Sequence, residues 1–469
     1  MMRKIIILVF LNLLSYFSFS QYTSQVEAFV TELKPSLVGE DHTGEGMLET
    51  LNDGSIIHIF RLDPGLAGGH IGNASRIVKR YSYDDGASWT EPETIYESEY
   101  DDRNVHGGLV EGFRLLVFFR RYNVTDNTTI DVNLIYSDDN GYSWSEPSII
   151  NTIGLSSASH KLLNVPTKGY MNAFGKLYYI ETRFSRHGIY WDSIAYSWNY
   201  LDSLKYSVGE PSFAYIENGL MLGLFRNTVG NYGSSYLFVK SNDYGETWTE
   251  PMPTNIADSF YCPSPLIFYN DEHKDIWSIA SDRRGLIDPN YSNLDSEFWI
   301  YRNKTSDIID NAKGFSLFHK IRRPTPNIYR LYGYPCVTKM QNGNYLVIVS
   351  DAIKKYNGLE DSDFYQFEIK YSLISSNDRE IDSNSLLSQN YPNPATNYTS
   401  IDFYKSNSED GMISIYDLNG NEKMTINFDN YDIGMNSAYL DISDLSSGVY
   451  YYTYKANQVE TTKKMVLIK

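Results

Sequence analysis

Cysteine is scarce in this chain, with two copies, Cys262 and Cys336, among 469 residues. A disulfide-stapled scaffold is thereby excluded. One bridge between the two is open in an oxidising compartment; two isolated buried thiols are the other reading. Positive charge is also in short supply, since 40 Lys and Arg face 58 Asp and Glu, a net charge of -18. Phosphate recognition needs a basic face, so nucleic acid is not expected as a partner. The eight histidines are scattered without an H-x-x-x-H pair, and there is no C-x-x-C. No metal and no cofactor is expected from such spacing. Apolar runs of membrane-spanning length are missing, so no transmembrane segment is expected. The first twenty residues carry one shorter run, Ile5 to Leu14, after Arg3 and Lys4 and ahead of the small residues Ser18 and Ser20. That order reads as an export signal peptide over 1–20, set aside from the fold.

What the chain does have is tyrosine, 41 copies beside 22 Phe and 7 Trp. Aromatics favour strands and also line sugar-binding clefts. Three segments share the pattern S-x-D-x-G-x-x-W: Ser82 to Trp89, Ser137 to Trp144 and Ser241 to Trp248. Each follows an apolar strand-like run and precedes T/S-E-P. The chemistry is that of a tight hairpin turn: Asp accepts from its own loop, Gly supplies a positive φ and Trp packs on the sheet. The second and third copies lie about twice as far apart as the first and second, which leaves room for one degenerate unit. Repeats of roughly 40–50 residues made of short strands predict propeller blades.

A second repeat opens on a turn and runs into a strand that ends in a charged residue. Its members are Gly54–Arg61, Gly112–Arg120, Gly175–Arg183, Gly219–Arg226, Asp275–Arg283 and Gly343–Asp351. Six such strands predict six blades over residues 25–375. Equivalent strand ends converge on one face of a propeller, so five arginines and Asp351 are expected around the axis. Arginine grips carboxylates in a bidentate fork, which suits a small anionic ligand. The alternative is a set of rim arginines paired with local acids.

These motifs resemble the sialidase superfamily across roughly residues 40–355, the first repeat being its Asp-box. The stretch Gly209-Glu210-Pro211 to Arg226 looks like the segment carrying a catalytic glutamate and a clamp arginine. The stretch Tyr332-Gly333-Tyr334-Pro335-Cys336 looks like the one carrying a tyrosine nucleophile. The resemblance implies Glu210 as base, Tyr334 as nucleophile with Tyr332 second, and Arg226 and Arg283 or Arg284 as clamp arginines; Arg61 falls near but not on a family arginine, and the strand-end repeat adds it and Arg120 as candidates for the substrate carboxylate. Asp351 would stand where the family orients an arginine. Sialidases use a tyrosine in place of the usual second carboxylate. A neutral phenol approaches an anionic sugar without repulsion, and an adjacent glutamate can deprotonate it. The stretch His42 to Thr50 lacks the arginine the family carries there. In the loop after Arg61, Asp63 and His70 are the candidate proton donors. A second loop histidine, His106, opens an alternative: a lyase or other hydrolase of uronic-acid polysaccharide, in which His or Tyr removes the C5 proton. A third reading is a glycan-binding propeller without turnover.

From about Ser383 the character changes, through a linker at 376–388 into short alternating strands and D-x-N-G turns. Such a pattern predicts a small β-sandwich over 389–469. QNYPNP, IYDLNG, SSGVYYY and KKMVLIK together resemble the C-terminal sorting domain of type IX secretion. That resemblance implies the secretion machinery as a partner and a secreted or cell-surface location. The overall expectation is an all-β chain: a signal peptide, a six-bladed sialidase-like β-propeller at 25–375 acting on an acidic glycan, and the sandwich.

Overall fold

The computed structural model describes residues 25–469 apart from 40, 65–74, 153, 155–160, 177, 200–207, 228–234, 258–263, 283–296, 323–328, 355–359, 375–386, 391–392, 406–410, 432–433 and 457–458. The signal peptide, His70, Cys262, Arg283 and Arg284 lie outside the described residues, as does most of the linker.

The chain opens with β1 (Gln25–Val30) and β2 (Lys34–Leu37). A first group follows, β3 to β6 (His42–Thr50, Ile56–Asp63, Arg76–Ser82, Glu93–Tyr96), then a second, β7 to β10 (Asp101–Val110, Arg114–Asn123, Thr128–Ser137, Ser148–Ile150). The third is β11 to β14 (Leu163–Val165, Gly169–Lys176, Tyr179–Ser185, Ile194–Asn199) and the fourth β15 to β18 (Val208–Glu217, Leu220–Asn227, Ser235–Ser241, Met252–Ala257). The fifth is β19 to β22 (Leu266–Asn270, Asp275–Asp282, Glu297–Lys304, Leu317–Arg322). The sixth is β23 to β25 (Tyr329–Lys339, Tyr345–Lys354, Glu360–Ile374), to which β1 and β2 add as outer antiparallel strands. Pairing between neighbours within each group is antiparallel. One parallel bridge, Ser362 to His42, joins the sixth group to the first. Around that bridge the Gly39 N–H donates to Asp363 and the Thr43 hydroxyl to the Ser362 carbonyl.

The sequence explains why these sheets ring an axis. Strand β8 reads Leu115-Leu116-Val117-Phe118-Phe119, and every one of these side chains is fully buried. Successive side chains of a strand point to opposite faces. Leu115, Val117 and Phe119 therefore join Met47, Ile57 and Ile59 of the first group, while Leu116 and Phe118 join Phe174 and Trp191 of the third. The same alternation builds clusters between the third and fourth, fourth and fifth, and fifth and sixth groups. A further cluster, with Phe60 and Val78 facing Ile348 and Phe364, joins the sixth group back to the first. Among the described residues each group is thus packed against the next, which fits the propeller expected from the repeats.

Each S-x-D-x-G-x-x-W segment is the hairpin between the third and fourth strands of its sheet. Asp139 accepts from the Ser137 hydroxyl (2.7 Å), the Ser143 N–H (2.8 Å) and the Ser143 hydroxyl (2.6 Å), and Gly141 turns at φ +87°. Asp84 and Asp243 repeat these bonds. The bonds hold the Asp139 carboxyl down at about 2, led by the Ser143 hydroxyl. Asp139→Ala is expected to cost about 1–2 kcal/mol, as for a lost charge-assisted turn, with no change in the far-ultraviolet spectrum. A urea midpoint unmoved by the substitution would show that the hairpin is held otherwise.

Residues 398–467 form two further sheets, a β26 (Tyr398–Lys405) and β29 (Gly434–Asp441) pair, and β28-β27-β30-β31 from Glu422–Asn427, Gly411–Asp417, Gly448–Ala456 and Val459–Leu467. Ile401, Phe403, Ile413, Ile415, Tyr452 and Met465 pack between them as one core. Among the described residues no helix is long and apolar enough to cross a membrane, and no group of His, Cys, Asp and Glu is placed to hold a metal. Cys336 is a free thiol, buried beneath the sixth sheet and pushed up to about 12 by that burial.

Candidate functional site

Four of the first strands in their groups carry a β-bulge at the same level. Register slips by one residue at Glu45 in β3, at Asn104-Val105 in β7, at Glu210-Pro211 in β15 and at Tyr334-Pro335 in β23. The bulged residues Glu45, Asn104, Glu210 and Tyr334 all have positive φ, between 41° and 59°. Non-glycine residues rarely adopt that region, and it costs of order 1–3 kcal/mol where the surroundings enforce it. A bulge re-aims its side chain, and bulges concentrate beside active sites. Proline cannot donate to a ladder, so Glu210-Pro211 and Tyr334-Pro335 are sequence steps suited to such a break.

The strand-end arginines face these bulges. Arg61 pairs in register with Gly44, Arg120 with Arg103 and Arg226 with Gly209, each the residue just before a bulge. Arg183 holds the corresponding place opposite Asn172. Asp351 pairs with Tyr332, one step beyond the equivalent Ser350 to Gly333 pair, and is fully buried.

Internal acids occupy several of these arginines. Arg61 Nε donates to Asp101 (3.1 Å), and its Nη2 lies 3.7 Å from Asp63. Arg103 reaches Asp101 at 3.3 Å and Glu45 at 3.6 Å. Glu45 also accepts from the backbone and side-chain amides of Asn104. All five charged side chains of this network are almost wholly buried, at 0–4 % exposure. Burial works against the Arg103 charge, and Glu45, Asp101 and Tyr334 together more than offset it, so its pKa lies above the ordinary value. Tyr334 is thereby within electrostatic reach of Arg103. Burial lifts the Asp63 carboxyl above its usual range, against the pull of Arg61.

Arg120 differs. Its Nη1 donates to the Thr129 hydroxyl at 3.1 Å, and its buried Nε has no hydrogen-bond partner among the described residues. The Asn104 Oδ1 is likewise buried without a hydrogen-bond partner among the described residues. Orphaned buried polar atoms call for an explanation, and a ligand supplies one. Across the ring Arg226 Nη1 donates to Glu210 at 3.0 Å, both side chains being about one-fifth exposed. Arg183 is bound to Glu181 and to the Trp191 carbonyl.

His106 turns inward from this cluster, its Nδ1 3.4 Å from the Asn104 carbonyl. It is 1 % exposed, stacks on Phe118 at 5.3 Å, and its Nε2 lies 3.1 Å from Asn172 Oδ1. Burial depresses it to about 4, so it stays neutral inside the interface between the second and third sheets. The loop position expected for it is corrected: Asp101 to His106 belong to strand β7. Sequence reasoning missed Glu45, Asp101, Arg103 and Asn104. Their strand alternation offered a signal, but the bulge that turns them together is a backbone event.

Residues 77–261 match the BNR repeat-like domain, and residues 389–469 match the secretion system C-terminal sorting domain. No curated protein sequence matches this chain. Among solved structures, a protein of unknown function from Dyadobacter fermentans aligns at 16 % identity and a TM-score of 0.55, covering 73 % of this chain and 99 % of its own. The NanB sialidase of Streptococcus pneumoniae aligns at 13 % identity and a TM-score of 0.49, over 73 % of this chain and 70 % of its own. The intramolecular trans-sialidase of Ruminococcus gnavus aligns at 13 % and 0.48, over 70 % and 94 %. This chain therefore joins a β-propeller that contains a BNR repeat-like domain to a secretion-system C-terminal sorting domain.

Proposed function

We propose that the chain is a secreted glycoside hydrolase that removes an acidic sugar from a glycan, with Tyr334 as nucleophile and Glu210 as its base. The observation that carries this reading is the shared bulge level, where strained backbone presents both residues. Glu210 takes the phenol proton, the Tyr334 oxygen attacks the anomeric carbon, and the glycosidic oxygen leaves with a proton. Asp63, whose pKa burial raises, is the candidate for that donation; His70 is the other. Water then releases the sugar from the tyrosine, with the same groups in reverse. Arg103 stabilises charge on the Tyr334 oxygen, and Arg120, Arg226 and Arg283 grip the substrate carboxylate. The sorting domain supports export to the cell surface or medium, after a signal peptide at 1–20.

One observation favours a second reading, a glycan-binding propeller without turnover: Arg61 and Arg103 already have acids of their own. The uronate-lyase reading loses His106 to the interior. The test is turnover of 4-methylumbelliferyl N-acetylneuraminic acid by the full chain. Release of fluorophore, lowered about 10²–10⁴-fold by Glu210→Gln, is expected. No release with retained binding of sialyllactose would leave the binding-only reading.

A further inference from the structure

The opposite face of the ring, where the Asp-box hairpins lie, carries a second site. Tyr83 belongs to the first box and Tyr142 to the second, and both are 65 % exposed. They flank Tyr81, with ring centroids 6.0 and 5.9 Å away and interplanar angles of 16° and 22°. Exposed aromatics of this size need a reason, because burying them would be favourable. The ring that they flank and the backbone beside Tyr142 are held in place. The Tyr81 hydroxyl donates to the Asn140 carbonyl at 2.8 Å. Lys79 Nζ donates to the Gly141 carbonyl at 2.7 Å and stands 5.5 and 5.8 Å from the Tyr81 and Tyr142 rings. Side chains locked before a ligand arrives cost little entropy on binding.

Tyr83 also walls a cavity of about 440 Å³ with Asp53, Ser55, Asp85 and Gln341. Its lining offers carboxylates and an amide, and no lysine or arginine. Carboxylates accept from hydroxyl groups and repel anions. We infer that this face binds a neutral glycan, one pyranose ring lying on the tyrosines while hydroxyls of the next are held by Asp53, Asp85 and Gln341. The inference does not rest on the proposed hydrolase reading. The turn Asp53–Ser55 and the strand end at Arg61 lie at opposite ends of β4, so the two sites occupy opposite faces.

The test is native affinity electrophoresis of the full chain in gels containing hydroxyethyl cellulose, laminarin, galactomannan or soluble starch, with polysialic acid and polygalacturonate as anionic controls. Retardation in at least one neutral gel is expected. Tyr83→Ala and Tyr142→Ala should each weaken it about tenfold, as for loss of an aromatic anchor. Tyr83→Phe should keep most of it, and all three variants should melt with the parent. Turnover of a sialoside, if present in the parent, should be unchanged in the tyrosine variants. Retardation in none of the neutral gels, retardation only by polyanions, or retardation indifferent to both alanines would overturn the proposal.

Discussion

Tyr334→Phe is expected to lower turnover of an acidic glycoside by at least about a thousandfold while leaving binding of the substrate within a few-fold. The substitution removes one oxygen and leaves the ring. Its backbone place is already strained, at φ +47° beside Pro335, and phenylalanine meets the same strain. The folded structure is therefore kept, and the loss reads on chemistry. Arg103 makes a second comparison. Arg103→Lys keeps a positive charge but loses the fork that reaches both Asp101 and Glu45. It should reduce the rate less than Tyr334→Phe and more in kcat than in KM. Full activity in Tyr334→Phe would remove the nucleophile assignment, and Tyr332 would be the next to test. A trapped covalent sugar on residue 334, found by mass spectrometry of a slow substrate, would settle the role directly.

Asp101→Ala is expected to destabilise the propeller by about 3–5 kcal/mol, because it leaves two buried guanidinium groups short of their shared acid. Asp101 is 1 % exposed and accepts from Arg61, Arg103 and the Ser75 hydroxyl. Removing one partner of a buried pair costs more than the pair contributes, since the remaining charge has no water to turn to. The measurement is the urea midpoint of the propeller with its slope unchanged. An apolar replacement of all three residues need not be costly, which separates the value of the network from the cost of breaking it. A midpoint within experimental scatter of the parent would mean that Glu45 and Asp63 suffice for both arginines.

Much of the architecture was legible because its signals are local. The Asp-box bonds run among residues two to four positions apart, so Ser, Asp and Gly at fixed offsets announce the turn. The strand-end repeat was legible because β4, β8 and β16 present their arginines at one register. The candidate site was legible only in part. Glu210 and Tyr334 were reached because their stretches resemble catalytic segments of a known superfamily. Glu45 and Asn104 fall outside those stretches, and their bulges are seen only in the strand pairing. The pairing of Arg61 with Asp101 crosses from the first sheet to the second, and single-strand patterns hold no information about it. His106, expected in a loop, lies within a paired strand, where Gly107 sits tight against the Leu116 carbonyl.

The pairing of β1 and β2 with β25 has a consequence for how the molecule comes into being. The bonds from Gly39 to Asp363 and from Thr43 to Ser362 join residues 324 and 319 positions apart. The outermost strands of the last sheet are the first to leave the ribosome, and they must wait for nearly the whole ring to be synthesised. Contacts of such long range are slow to form. Until that clasp shuts, the first and last sheets each lack a neighbour, and their apolar edges stand open. A chain interrupted before Glu360 is thus left as an unclosed arc, whatever the quality of the sheets already made, and completion of the final sheet is the step that makes it one object.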